Sequence, residues 1–215
     1  MDTVYFTQAV LLQCYYIGGL IYSKFIMLIN LLSTLFFSTK LYLSASLNRY
    51  YIPGGRALLI VIVATALDDI SYYCFDSKYA LDNFSFVFYF CEIIISCFIL
   101  AIISRLCGGS VRQCAFKSIF KPFSYTLSPV IFGSILLITI STLTDLNIAY
   151  HSQVQIGAFI ILTIWLWGCQ YLFIMSYFDS LKTIPKLVLF IINISIYLGM
   201  HEFKEYFYLF LSESQ

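Results

Sequence analysis

Charge is scarce in this chain. Only 11% of its 215 residues are Asp, Glu, Lys or Arg, against roughly 25% in an ordinary soluble domain. With 61% of the residues hydrophobic and 19% aromatic, a hydrated globular exterior is excluded, because a soluble fold of this size cannot hide so much apolar surface. Metal-ligand patterns are missing as well. The two histidines, His151 and His201, stand apart from each other and from other ligand types. Cys14, Cys74, Cys91, Cys97, Cys107, Cys114 and Cys169 are scattered, mostly inside apolar runs, with no CxxC pair. They read as small hydrophobes in helices rather than as a disulfide framework or a metal site. No nucleophile elbow, phosphate loop or HExxH is present, and no Ser, Cys or Lys has a base at motif spacing. The expectation is a protein without catalytic chemistry and without a cofactor. A cleavable signal peptide is not expected, since Asp2 occupies the place of a basic n-region and no small-residue cleavage site follows; the first apolar run is then retained.

What the chain has instead is long apolar runs. A membrane-spanning helix needs about 20 such residues, and the pattern predicts an all-α polytopic transmembrane bundle forming a single domain over residues 1–215. Six spans are expected, with five or seven as alternatives, at about 9–38, 57–76, 84–104, 123–144, 156–178 and 187–210. The first run, Val4–Thr39, carries only Lys24. It reads as one long tilted helix, or as a hairpin turning near Ser23-Lys24; the single element is preferred because a hairpin needs a connection with turn chemistry. Gly18-Gly19 offers a kink or a close-packing point, and Lys24 is expected to snorkel to the headgroups.

The charges alternate between the connections. Lys40, Arg49 and Arg56 surround the loop signal Pro53-Gly54-Gly55; Arg105, Arg112, Lys117 and Lys121 follow the third apolar stretch; Lys182 and Lys186 follow the fifth. Between them, Asp68, Asp69, Asp76 and Asp82 face only Lys78, while Asp145 and His151 mark a short polar loop and Lys204 the last one. Basic connections stay in the cytoplasm, so the basic face is placed there. The longest polar interruption is Arg105–Pro129. Within it Val111, Ala115 and Ile119 recur at helical spacing, which suggests a short interfacial helix after Gly108-Gly109. Arg105, Arg112, Lys117 and Lys121, helped by Arg49, Arg56, Lys182 and Lys186, are the expected docking set for anionic lipid or a cytosolic protein. Direct nucleic-acid binding is not expected, and homo-oligomers are.

Three acids are the intramembrane candidates. Glu92 lies near the middle of an apolar run, and an acid at membrane depth is expensive and functional by default. It serves a proton relay, binds a cation or pairs with a basic residue, or else it faces the bundle interior, protonated or hydrogen-bonded to a neighbouring helix. Asp68 and Asp69 form either a cation site or the solvated end of a short helix. A transporter should line a polar cavity with these acids, usually at a broken helix. No second interrupted half-repeat is visible, which favours a scaffold.

The string FKSIFKPFSYTLSP (Phe116–Pro129) resembles the signature of Yip-type integral membrane proteins: the Gly108-Gly109 turn, Phe116-Lys117, Lys121, then Tyr125 and Pro129 entering the next span. Trp165 and the polar turn at Asp179–Lys186 fit the same pattern, which covers about residues 84–195. The resemblance implies a non-enzymatic membrane protein of trafficking or membrane organisation. In format alone, as a small multi-span chain with a basic face, it is similar to the membrane subunit of the Kiwa antiphage system, which implies a bacterial inner-membrane sensor or anchor in defence. The preferred reading is a non-enzymatic anchor that recruits a cytosolic partner. The alternatives are a Yip-like organiser and a small proton- or cation-coupled transporter or channel using Glu92.

Overall fold

The structure, a computed structural model, describes residues 22–47, 49, 51–75, 83–143 and 148–213. All regular structure among them is helical. The order is α1 (Tyr22–Leu35), α2 (Lys40–Ser46), α3 (Gly54–Phe75), α4 (Asn83–Leu106), α5 (Phe116–Phe123), a 3₁₀ turn at Ser124–Leu127, α6 (Ser128–Leu143), α7 (Ile148–Tyr177) and α8 (Thr183–Glu213). The chain before Tyr22, with Gly18-Gly19, and the connections holding Asp76, Lys78, Asp82 and Asp145 lie outside the described residues. His151, expected in a loop, falls within the helical backbone of α7.

Among the described residues four helical stretches are long and apolar enough to cross a membrane: Ser85–Leu106, Phe116–Thr142, Ile156–Tyr177 and Thr183–Phe207. A fifth is reached if α1 and α2 are counted as one bent span. Six spans are not reached among these residues. The described part of the run expected at 9–38 breaks after Leu35, and α3, expected as the span 57–76, carries Arg56, Asp68 and Asp69. The stretch Phe116–Thr142 is 61% buried over its most apolar part, against 28% for those of α4 and α7 and 11% for that of α8, so α5–α6 is the hub. α3 packs most extensively on α6, and α4 on α8. The outer faces of the other helices keep large apolar side chains such as Phe98, Ile161 and Ile191 exposed. Lipid accommodates such faces where water would not.

The hub begins at Phe116, earlier than the expected 123. Pro122 inside α5 removes one backbone donor, and the chain tightens into the 3₁₀ turn before α6 resumes. Hydroxyls bond the carbonyls around the tightened turn: Ser124 Oγ donates to the Lys121 carbonyl at 2.8 Å and Thr126 Oγ1 to the Phe123 carbonyl at 2.8 Å. Residues 122–131 are all buried, so the expected free interfacial helix is instead the foot of a central one. Of its predicted apolar repeat, Val111 and Ala115 are exposed and precede the helix, and Ile119 alone is buried.

The break after Leu35 has no Gly or Pro to announce it. Phe37 sits at φ +60°, where a non-glycine residue costs roughly 1–2 kcal/mol. Ser38 N–H reaches the Ser33 carbonyl and Phe37 N–H the Thr34 carbonyl, both at 3.0 Å, the bonding of a Schellman motif that ordinarily uses glycine. Tertiary contacts hold the conformation. The Phe37 ring lies 6.3 Å from that of Trp165 and covers Gly168, where any Cβ would come within 3.0 Å of it. Trp165 Nε1 donates to the Leu35 carbonyl at 2.8 Å, and Cys169 Sγ lies 3.4 Å from the Thr34 carbonyl. Irregular backbone persists at membrane depth only where protein satisfies it in this way.

After the 112° bend, α2 runs back and buries Leu41 and Tyr42 in what the sequence reads as a loop. Arg56 Nη2 donates to Ser23 Oγ at 2.6 Å, and Lys121 Nζ stands 4.6 Å over the Tyr51 ring. Both ends of the bent pair thus meet the same end of the bundle, the arrangement of a re-entrant element. No turn occurs at Ser23-Lys24, and Lys24 is exposed on α1.

An aromatic core closes that end. Phe173 packs edge-on against Tyr42 (5.3 Å) and Phe123 (5.5 Å) and stacks on Tyr177 (5.1 Å). All four are 2% exposed or less.

Candidate functional site: an acidic cavity in the bundle

At the other end, α3, α4, α6, α7 and α8 enclose a cavity of about 300 Å³. Each helix contributes positions at helical spacing: Thr65, Asp68 and Asp69 from α3, Ser85, Tyr89 and Glu92 from α4, and Tyr197, His201 and Lys204 from α8. Residues three, four and seven apart share a helix face, so each set is one polar stripe. Val130 and Leu137 of α6 and Phe159, Leu162, Thr163 and Leu166 of α7 form the rest of the wall. Gly133 lets α6 approach α7 closely, since a Cβ there would overlap the Leu162 side chain.

The structure brings together the three acids singled out from sequence. Asp68 and Glu92 come from different helices, yet their charges are close enough to act on each other. Glu92 lies about two turns beyond Ser85, roughly 10 Å along the helix axis, and is half-buried. Among the described residues neither carboxylate accepts a hydrogen bond from another side chain. Of the two expected states of a Glu92 facing the bundle interior, hydrogen-bonded to a neighbouring helix or protonated, the first has no side-chain partner among these residues.

Lys204 is the basic counterpart: its Nζ hydrogen-bonds Ser85 Oγ, and its charge reaches Asp68. His201 Nε2 pairs with Glu205 Oε1 at 3.5 Å on the exposed side of α8. Tyr197 lines the same cavity as Thr163, Glu92 and Asp68. Lys204, Tyr197 and Ser85 are site residues that the sequence reading missed. For Tyr197 and Lys204 the signal is the i, i+4, i+7 spacing of Tyr197, His201 and Lys204, which puts Lys204 on a helix face rather than in a loop.

The expected docking set does converge, since the three basic connections meet at one end. Gln113 Nε2 donates to Asp179 Oδ1 at 2.7 Å, Ser180 Oγ donates to Gln113 Oε1 at 2.9 Å, and Tyr177 OH donates to the Gln113 carbonyl at 3.0 Å. Four of the set make internal contacts that show what they hold. Arg105 Nη1 donates to the Gly109 carbonyl at 3.0 Å, Lys186 Nζ to the Met175 carbonyl at 2.9 Å, Arg56 to Ser23, and Lys121 covers Tyr51. Arg49, Arg112, Lys117 and Lys182 are exposed.

The glycines are structural as well. Gly108 (φ +89°) and Gly109 end α4 in a Schellman motif, and a Cβ on Gly109 would stand 2.7 Å from the Ser104 carbonyl oxygen. With Tyr125 and Pro129 buried, packing accounts for most of the string Phe116–Pro129. No family model, curated protein or solved structure matches the chain.

Proposed function

We propose that this chain is a small membrane carrier or channel for cations that works through Asp68 and Glu92. The observation that carries the proposal is their meeting, from two helices, in one cavity whose carboxylates Asp68, Asp69 and Glu92 outnumber the ammonium of Lys204. Intramembrane acids are retained at a cost and face cavities that serve ion or proton pathways. A second observation supports it. The α1–α2 break contacts α6 and α7 at Ser128 and Trp165, within two residues of the cavity-lining Val130 and Leu166, and discontinuous helices commonly adjoin transport sites.

The test is flux. Protein reconstituted into liposomes should discharge an imposed cation gradient, read with a potential-sensitive dye, for at least one of H⁺, Na⁺, K⁺ and ammonium ions. Asp68→Asn should slow that flux at least tenfold while the protein still inserts and purifies as wild type. Wild-type liposomes as tight as empty ones would sink the proposal.

The convergence of the basic connections favours a second reading, in which the exposed cations Arg49, Arg112, Lys117 and Lys182 dock anionic lipid or a cytosolic protein at the cytoplasmic face. The Yip-like and antiphage-subunit resemblances belong here, with a bacterial inner membrane as the location and self-association as the assembly. Exposed charges are screened over about 8 Å at physiological ionic strength, so binding through them should weaken as salt rises. The double variant Arg112→Glu/Lys117→Glu should release a bound protein partner and leave insertion intact. A partner that stays on this variant at high salt would remove the docking reading.

A further inference from the structure

We infer that the occupant of the acidic cavity is a small organic ammonium, an amine with an apolar body, rather than a metal ion. The inference rests on the cation reading above and specifies its ligand.

A hard divalent ion such as Ca²⁺ gathers six to eight oxygens at about 2.3–2.6 Å. Among the described residues no three His, Cys, Asp or Glu side chains stand close enough together to hold one metal ion. The carboxylates instead line a space of about 300 Å³, at the lower end of the range for small-molecule sites, roughly 300–1,000 Å³. The wall between them is apolar and aromatic, with Phe88, Phe159 and Tyr197 beside Leu162 and Leu166. Ring faces attract ammonium groups, and aliphatic side chains suit the body that carries one.

The chain itself shows the pairing. Lys204 is an alkylammonium that lines this same cavity, its Nζ on Ser85 Oγ. Glu92 lies about two turns beyond Ser85 on α4, half-buried and with no hydrogen-bonding side chain among the described residues. An amine seated between Asp68 and Glu92 supplies the N–H donors that both carboxylates lack, while its body fills the space toward Phe159. Lys204 then competes at the mouth with any ligand of like charge.

The experiment uses the full chain in lipid nanodiscs, with phenethylammonium, NaCl, CaCl₂ and the neutral isostere 3-phenylpropanol as probes, at matched ionic strength. Thermal unfolding and titration calorimetry are the readouts. Phenethylammonium should raise the unfolding midpoint, and the neutral alcohol should not. Glu92→Gln should weaken phenethylammonium at least tenfold, and Lys204→Met, which keeps the apolar stem and removes the competing charge, should tighten it severalfold. The Lys204 variant keeps the test decisive should the Glu92 variant fail to fold.

Equal protection by Na⁺ or Ca²⁺, or unchanged phenethylammonium affinity in both variants, overturns the amine assignment and leaves the carrier reading standing on its flux. Absence of binding by every cation, together with tight wild-type liposomes, removes both.

Discussion

Glu92→Gln should yield a protein that inserts, purifies and melts at least as well as wild type, yet has lost its hold on cations. Stability and function separate here because an ionisable carboxyl at membrane depth is itself a cost. Insertion measurements put an Asp, Lys or Arg at a span's centre at about 2.5–3.5 kcal/mol. The amide keeps the shape and removes the charge. Among the described residues no side-chain hydrogen bond is lost with it, so the bundle has nothing to forfeit. A bound cation does. A hydrogen bond to a charged group contributes about 1.5–3 kcal/mol, which corresponds to roughly 10–150-fold in affinity. Flux in liposomes and binding in nanodiscs should fall together by that order. A Gln variant that is markedly less stable, with flux unchanged, would show that Glu92 is a packing residue.

Phe173→Ala should produce the largest loss of stability in the chain. The ring is fully buried and touches Tyr42 of α2, Phe123 of α5 and Tyr177 and Phe178 of its own neighbourhood. Emptying such a site costs about 3–5 kcal/mol, the lost contacts plus the cavity left behind. Thermal or denaturant unfolding in detergent reads the loss, and Phe173→Leu should recover most of it. Because Tyr177 OH holds the Gln113 carbonyl, the variant should also loosen the connection 107–115, visible as faster cysteine labelling at the buried Cys114. The acidic cavity lies at the opposite end, so residual cation binding by the folded fraction should be unchanged. A loss of less than about 1 kcal/mol would mean that the aromatic cluster is not the keystone of that end.

The membrane character and the helical class follow from composition and run length alone, since few charges and about 20 apolar residues in succession leave a chain no other solvent. Glu92 was visible from sequence for the same reason: one acid in an apolar run stands out without any structure. The alternation of basic and acidic connections likewise placed Arg105, Arg112, Lys117 and Lys182 at one end. Three things were decided only in three dimensions. Asp68 and Glu92 share a cavity because the tertiary packing brings the polar stripes of α3 and α4 to one space, a register that neither stripe encodes by itself. The break at Phe36-Phe37 carries no Gly or Pro. It exists because Trp165, Cys169 and the space above Gly168 satisfy and hold an otherwise costly backbone. The fate of each cation at the basic end was equally hidden: Arg105 and Lys186 are used on backbone carbonyls while Arg49 and Lys182 stay exposed. A charge's sign is local and readable along the chain, but its partner depends on which helix ends the bundle brings together.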